Sequence, residues 1–233
     1  LDLEPAEVRD IARQASDAGI GFSAIGSPLG KFPLDGDFQE QTDGLKRALE
    51  YADIVGAPYI RIFSFYIPED DDPANHRSQV MDQLAKLSEI ASDTDTVLAH
   101  ENEKGIYGDS AQRCLDILSN LSSDSFTGIL DFSNFVVHGE RVYEDCWLPL
   151  KPYISYFHVK DSRASDKVVV PAGEGDGDVK RILAEAFSEG YDNFLTLEPH
   201  LSLAEANYGK TSPALFATAT SALKAILSEI GVQ

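Results

Sequence analysis

Ile154-Ser-Tyr-Phe-His158 is a short, mostly apolar run that ends in a residue able to bind a metal ion. Three other short runs end in a carboxylate: Thr96-Val-Leu-Ala-His-Glu101, Thr127-Gly-Ile-Leu-Asp131 and Phe194-Leu-Thr-Leu-Glu198. Runs of this length that are bounded by turn residues are typical of buried strands. The four predicted strands therefore end in Glu101, Asp131, His158 and Glu198.

Two earlier runs, Ile20-Gly-Phe-Ser-Ala-Ile25 and Tyr59-Ile-Arg-Ile-Phe63, bring the number of predicted strands to six. Helical patterns separate the strands, at about 4–18, 38–55, 76–91, 110–119, 179–189 and 213–230. After Asp131 the sequence predicts a loop and then a short helix near Glu144. Strands that alternate with helices indicate βαβ units and a parallel sheet that is covered on both faces.

Two α/β architectures fit this alternation, a doubly wound open sheet and a (β/α)8 TIM barrel. A doubly wound sheet usually carries a glycine-rich dinucleotide or phosphate turn after its first strand. The turn Ile25-Gly-Ser-Pro-Leu-Gly30 matches neither of those patterns. Catalytic residues of barrels come from the carboxyl ends of several strands, which is where the sequence places its candidates. We therefore predict the barrel.

The four strand ends favour a metal site. In a parallel sheet the carboxyl ends of all strands lie on one side, and neighbouring strands are about 4.8 Å apart. A single acidic residue at a strand end is most often a helix cap or a solvated group. Three carboxylates close together, however, would repel unless one took up a proton or a cation lay between them. Three oxygens and one imidazole nitrogen suit a single divalent ion, which we expect to be Mn²⁺, Mg²⁺, Co²⁺ or Zn²⁺.

The net charge of the chain limits the classes of partner that the sequence predicts. The 233 residues include 19 Lys and Arg against 39 Asp and Glu, a formal net charge of −20. Nucleic acids and anionic membrane surfaces are bound by basic residues, so neither is predicted as a partner. Cys114 and Cys146 are too few for a disulfide framework, and no signal peptide is recognisable. We expect a cytoplasmic protein.

Five segments resemble the xylose isomerase-like TIM-barrel superfamily, and within it the sugar phosphate isomerase/epimerase branch. They occur in the family's order along nearly the whole chain. They are Ala99-His-Glu-Asn-Glu103, Leu130-Asp-Phe-Ser-Asn-Phe135, Phe157-His-Val-Lys-Asp161, Pro171-Ala-Gly-Glu-Gly-Asp176 and Leu195-Thr-Leu-Glu198.

The resemblance implies a metal-dependent sugar isomerase or epimerase of carbohydrate metabolism. Members hold one divalent cation with Glu, Asp, His and Glu from four successive strands, here Glu101, Asp131, His158 and Glu198. In the ketose 3-epimerases of the family the two glutamates, here Glu101 and Glu198, also exchange the substrate proton. The implied reaction runs through a cis-enediolate of a small sugar, sugar phosphate or polyol.

Five residues are predicted to bind substrate. Arg61 lies inside a strand, where it either contacts an anion or is a buried counter-ion of the carboxylates. Lys160 either binds a substrate oxygen or neutralises the negative charge of the acidic residues at the carboxyl ends of the strands. Arg163 resembles a substrate contact of the epimerases, at a spacing from the metal histidine that differs by one residue. Asn134 stands where some epimerases carry a substrate-binding histidine, which argues against a free ketohexose, and His200 lies on a rim loop.

Three other functions compete with this one. An inosose-type dehydratase would use the same metal site to remove water after proton abstraction. An inactive family member would keep the barrel as a binding module. A DNA-repair endonuclease of the superfamily would need a trinuclear zinc site with more histidines, and a basic surface that binds DNA. The five histidines and the charge of −20 exclude that last function.

The family pattern aligns the first predicted strand with the third of eight. We therefore expect residues 1–233 to form a single domain, a (β/α)8 TIM barrel that is incomplete at its N-terminus and has about six of its eight strands. The missing part would be the first βαβ portion. Barrels of this branch often form dimers or tetramers, so the resemblance is compatible with a homo-oligomer.

Overall fold

Strands and helices alternate along the chain in the computed structural model, which describes residues 1–201 and 211–232. The helices are α1 (Pro5–Asp17), α2 (Phe38–Val55), α3 (Arg77–Ala91), α4 (Ala111–Leu121), α5 (Phe132–His138), α6 (Leu148–Leu150), α7 (Val179–Ser188) and α8 (Pro213–Glu229). The strands are β1 (Ala24–Ile25), β2 (Tyr59–Ile62), β3 (Val97–Glu101), β4 (Phe126–Asp131), β5 (Ile154–Val159), β6 (Asp161–Ser162), β7 (Val169–Val170) and β8 (Leu195–Leu197). Short 3-10 helices cover Pro73–His76, Tyr107–Asp109 and Lys151–Tyr153, and a π-helical turn covers Val142–Trp147.

Six strands form one sheet, in the order β1-β2-β3-β4-β5-β8. The pairs β1–β2, β2–β3 and β5–β8 are parallel, as βαβ connections require. The sheet confirms the predicted α/β fold class, and six of the eight strands of a (β/α)8 barrel lie among the described residues. Strands β6 and β7 form a separate antiparallel pair, which the sequence analysis did not predict.

The chain divides into two compact units. The first comprises Leu1–Gly108 and Asp116–Gly128, and the second comprises Asp109–Leu115 and Ile129–Gln233. The division falls within β4. The predicted single domain over residues 1–233 stays a prediction.

The core of the first unit lies against β2 and β3. Ile60 and Ile62 of β2 and Leu98 of β3 are fully buried. Helix α3 buries residues that are spaced three and four apart, which is the pattern of an amphipathic helix: Val80, Leu84, Leu87 and Ala91. Burial of apolar side chains from both kinds of element holds β2 and β3 in place.

Aromatic rings fill the core of the second unit. The Phe157 ring of β5 lies 5.6 Å from the ring of Phe132, 5.8 Å from that of Trp147 and 5.0 Å from that of Tyr191. Ring pairs at such distances each contribute about 0.5–1.5 kcal/mol beyond the area that they bury. The packing fixes the part of β5 that carries the predicted metal ligand His158.

Helix α5 corrects the sequence analysis, which placed a loop directly after Asp131. The helix starts at Phe132 because the Asp131 side chain accepts a hydrogen bond from the backbone N–H of Asn134 at 2.8 Å. It ends at Gly139, whose φ of 101° stops the helix. Strand β1 is also shorter than predicted, since only Ala24–Ile25 pairs with β2.

No helix within residues 1–201 or 211–232 combines the length and the apolar character that crossing a bilayer requires.

Gly30 allows the chain after β1 to pack against the chain that follows β2. It has a φ of 81°, and a Cβ at this position would overlap the carbonyl oxygen of Phe63. Two backbone hydrogen bonds stabilise the contact, both 2.8 Å long. The N–H of Phe63 donates to the carbonyl oxygen of Leu29, and the N–H of Phe65 donates to that of Gly30. The close approach of two backbones therefore requires glycine.

We expect Gly30→Ala to lower the free energy of unfolding by about 3 kcal/mol or more, because the left-handed φ and the backbone clash add together. The matched control is Gly56→Ala, since Gly56 has a φ of 69° but nothing within 4 Å of the added Cβ. It should lose only about 1 kcal/mol. Urea unfolding of both variants measures the difference, and equal losses would contradict the clash.

Candidate metal centre

Three of the four residues at the predicted strand ends lie together in the second unit. Asp131, His158 and Glu198 each offer one ligand atom within 4.8 Å of the others. Asp131 is 0 % exposed, Glu101 is 2 % exposed and His158 is 4 % exposed. The Glu198 side chain is 23 % exposed, so it is the most accessible of the four.

Both carboxylate oxygens of Asp131 are engaged. Oδ1 accepts the N–H of Asn134 that begins α5. Oδ2 lies 2.8 Å from Nζ of Lys160, whose side chain is only 10 % exposed. A buried ion pair of this kind is costly to break, because either partner alone would be an uncompensated charge.

Glu198 follows β8 directly and lies beside two histidines. Its backbone N–H donates to the carbonyl oxygen of Val159 at 3.3 Å, which ties the end of β8 to the end of β5. Its Oε1 lies 3.5 Å from Nδ1 of His158, and its Oε2 lies 3.9 Å from Nε2 of the exposed His200. His200 is thus the outer neighbour of this carboxylate.

Glu101 ends β3 and is paired with Arg61 of β2. Oε2 of Glu101 lies 3.3 Å from Nη1 of Arg61, and the guanidinium carbon lies 5.0 Å from the centre of the Phe63 ring. This pairing corresponds to the counter-ion interpretation of Arg61. The neighbouring His100 is fully buried, and burial lowers its pKa to about 4, so its ring stays neutral at neutral pH.

The donor set fits a divalent cation. Within the second unit it offers oxygens from the carboxylates of Asp131 and Glu198 and a nitrogen of the His158 imidazole, mostly out of contact with solvent. Hard divalent ions take carboxylate oxygens, and an imidazole extends the choice to transition metals and zinc. Lys160 already offsets the charge of Asp131, and a metal ion would offset the repulsion that remains between Asp131 and Glu198. The residues present can therefore hold one ion, and their chemistry is compatible with Mn²⁺, Mg²⁺, Co²⁺ or Zn²⁺.

The other predicted substrate-binding residues lie at different depths. Lys160 lies beside Asp131, and the backbone of Asn134 binds the same carboxylate. Arg163 lies on the connection between β6 and β7, is exposed, and forms an ion pair with Asp166 at 2.8 Å. Arg163 is not one of the three clustered residues of the second unit. The predicted substrate contacts of all of these residues stay predictions.

Asp161 was missing from the predicted site, although it follows Lys160 directly. It is buried, and its carboxylate accepts four backbone hydrogen bonds, from Ser162, Gly173, Gly175 and Gly177. Burial raises the pKa of Asp161, while the four N–H donors act in the opposite direction. The glycines at every second position of 173–177 are the sequence feature that could have revealed this interaction, because such a segment brings backbone N–H groups close to an anion.

Solved structures with the same architecture are numerous. A xylose isomerase domain protein from Planctomyces limnophilus is 17% identical, with a TM-score of 0.76 over 97% of this chain and 85% of that one. A D-tagatose 3-epimerase-like protein is 16% identical, with a TM-score of 0.75 over 97% and 84%. An IolI protein with a bound zinc atom is 18% identical, with a TM-score of 0.78 over 97% and 83%. At these identities the likeness establishes the fold.

No curated protein shows a significant match to the sequence. The family model described as a xylose isomerase-like TIM barrel matches residues 1–223, which is almost the whole chain. The match confirms the resemblance that the five sequence segments indicated. The chain belongs to the family of xylose isomerase-like TIM barrels.

Proposed function

We propose that the chain is a divalent-metal-dependent isomerase or epimerase of a small sugar or sugar phosphate. The observation that carries the proposal is the grouping of Asp131, His158 and Glu198 of the second unit within 4.8 Å of one another. Membership of the family and the likeness to a D-tagatose 3-epimerase-like protein support an enzyme that acts on a sugar. The likeness to a zinc-bound IolI protein supports a metal ion.

Asp131, His158 and Glu198 would hold the ion with their carboxylate oxygens and imidazole nitrogen, and Glu101 is the fourth ligand predicted from the sequence. When bound, a divalent cation supplies Lewis-acid polarisation of neighbouring carbonyl and hydroxyl oxygens of a substrate. That polarisation makes a proton on the adjacent carbon easier to remove.

The two glutamates are the proposed acid and base. One carboxylate takes the proton from the carbon next to the sugar carbonyl, which leaves a cis-enediolate, and the other returns a proton. Return to the opposite face of the same carbon gives an epimer, and return to the neighbouring carbon gives an isomer. Glu198 is accessible and Glu101 is buried against Arg61, so the two groups meet a substrate in different environments. General acid–base groups of this kind contribute about 10²–10⁴-fold each.

The cations near these carboxylates have proposed roles in binding. Lys160 and Arg61 each neutralise one carboxylate, and the nitrogen donors of such side chains suit a hydroxyl, carbonyl or phosphate oxygen. His200 lies on the exposed side of Glu198, where an entering sugar would pass. Asn134 and Arg163 are proposed contacts on the strength of the sequence alone. A cytoplasmic location, a possible homo-oligomer and the absence of nucleic-acid and membrane partners stay predictions.

The test is a panel of ketoses and ketose phosphates in D₂O with Mn²⁺, Mg²⁺, Co²⁺ or Zn²⁺, followed by NMR. We expect one metal ion per chain, conversion of at least one sugar, deuterium at the reacting carbon, and loss of both effects with EDTA. A conjugated product that absorbs in the ultraviolet would identify a dehydratase instead. A chain that binds none of the four metals would contradict the proposal, and metal binding without turnover would favour a binding module.

A further inference from the structure

The carboxylate of Asp161 is saturated by backbone donors. Its Oδ2 accepts from Gly173 N at 2.9 Å and from Gly175 N at 3.1 Å. Its Oδ1 accepts from Gly177 N at 3.0 Å and from Ser162 N at 2.9 Å. An ionised carboxylate has about four lone-pair sites, and all of them are used here. A buried group with this many bonds holds its surroundings in a single arrangement.

The segment 173–177 is closed tightly around this carboxylate. A Cβ on Gly175 would overlap Oδ1 of Asp161, and a Cβ on Gly177 would lie 2.7 Å from the same atom. The backbone N–H of Asp176 donates to Ser162 O at 2.8 Å, which adds a direct link between the segment and β6. Glycine at these positions therefore lets the backbone reach Asp161, so the glycine pattern serves a protein carboxylate.

The chain next to Asp161 is anchored to the first turn of α5. Ser133 N donates to the carbonyl oxygen of Lys160 at 3.0 Å, and the hydroxyls of Ser133 and Ser162 are 2.5 Å apart. Helix α5 is itself capped by Asp131. The backbone of Lys160 thus lies between Asp161, which follows it in the chain, and helix α5, whose N-cap is the predicted metal ligand Asp131.

Lys160 places its ammonium 2.8 Å from Oδ2 of Asp131, in a position that is almost closed to solvent. A lysine has four rotatable side-chain bonds, so a fixed ammonium requires a fixed backbone beneath it. Ser133 N holds the carbonyl oxygen of Lys160, and the bonds of the Asp161 carboxylate hold the next residue of the chain. An ammonium at this oxygen also competes with any metal ion for the same ligand, because both are cations.

We propose that Asp161 is a positioning residue of the metal centre, which ties the segment 173–177 to the end of β5 and thereby holds the Lys160 ammonium against Asp131. The inference rests on the proposed metal-dependent function. It assigns Asp161 an effect on metal affinity that passes through Lys160. Asp161 has no contact with the ion in this scheme.

A double-mutant cycle on Mn²⁺ affinity tests the inference. Asp161→Asn and the charge-neutral Gly177→Ala each disturb the bonds around Asp161, and each is made with Lys160 and with Lys160→Met. Where Lys160 is present, we expect either variant to bind Mn²⁺ more tightly. The factor by which the variant changes the Mn²⁺ dissociation constant should differ at least fivefold from the factor measured with Lys160→Met. The through-space effect of the lost Asp161 charge is the same in both backgrounds, so it cancels in the cycle.

Two further measurements separate the outcomes. Hydrogen exchange at the amides of Gly173, Gly175 and Gly177 should accelerate in Asp161→Asn and stay unchanged in the control Glu174→Gln, which removes an exposed charge from the same segment. Equal changes in both Lys160 backgrounds would overturn the inference and reduce Asp161 to a structural role. A wild-type chain that binds no Mn²⁺ would instead overturn the proposed function.

Discussion

Asp131→Asn is expected to weaken Mn²⁺ binding at least about 100-fold. The change removes a negative charge and one oxygen ligand from the most deeply buried member of the cluster. Replacement of a group that merely orients a ligand already costs about 10–100-fold in metal affinity, so loss of a ligand charge should cost more. Isothermal titration with Mn²⁺, after removal of bound metal by EDTA, gives the dissociation constants of both proteins.

Folding must be separated from metal binding in this variant. Asparagine is a good N-cap, so α5 should keep its first hydrogen bond, but Lys160 would lose its buried partner. The double variant Asp131→Asn/Lys160→Met removes that unpaired cation and should recover stability without recovering tight Mn²⁺ binding. Asp145→Asn is the matched control, because this exposed aspartate pairs with Arg141 outside the cluster. Normal Mn²⁺ affinity in the folded double variant would refute the role of Asp131.

Glu198→Gln is expected to slow solvent deuterium incorporation into the sugar by about 10²–10⁴-fold at saturating Mn²⁺. Glutamine keeps an oxygen that can bind a metal but has no carboxylate to accept a proton. The reaction should therefore lose proton transfer while one Mn²⁺ per chain is still bound. The rate is measured by NMR with the sugar that the substrate panel identifies.

Glu189→Gln provides the control for this second prediction, because Glu189 is an exposed glutamate that pairs with Lys151. Its exchange rate should stay within about twofold of the wild type. Metal content measured on the same samples separates lost catalysis from lost metal. A Glu198→Gln protein that carries its metal and exchanges deuterium at the wild-type rate would assign the base to another residue.

The strand ends were predictable because their signal is local. Each is a short apolar run followed by a residue that is costly to bury, and the alternation with helices orders the runs in one parallel sheet. That reasoning needed no distances between distant parts of the chain. Glu101 and Asp131 are the last residues of β3 and β4, as predicted, whereas His158 lies one residue before the end of β5 and Glu198 one residue beyond the end of β8.

The helix after β4 shows where local reasoning failed. The run Phe132–His138 is too short to display a clear helical period, and what starts it is a capping bond from Asn134 to Asp131. The β6–β7 pair was missed for a related reason, since two-residue strands carry almost no alternation. The Asp161 bonds were missed because three of their four donors lie 12 to 16 residues further along the chain.

The order of residues was sufficient to establish the fold class and the family and to predict four metal ligands, because periodicity and strand topology depend on the chain alone. The order of residues left open which basic side chain pairs with which carboxylate. The pairing of Arg61 with Glu101 and of Lys160 with Asp131 depends on side-chain positions brought together by packing. Long, flexible cationic side chains reach several partners from one backbone position, so only the folded surroundings select one of them.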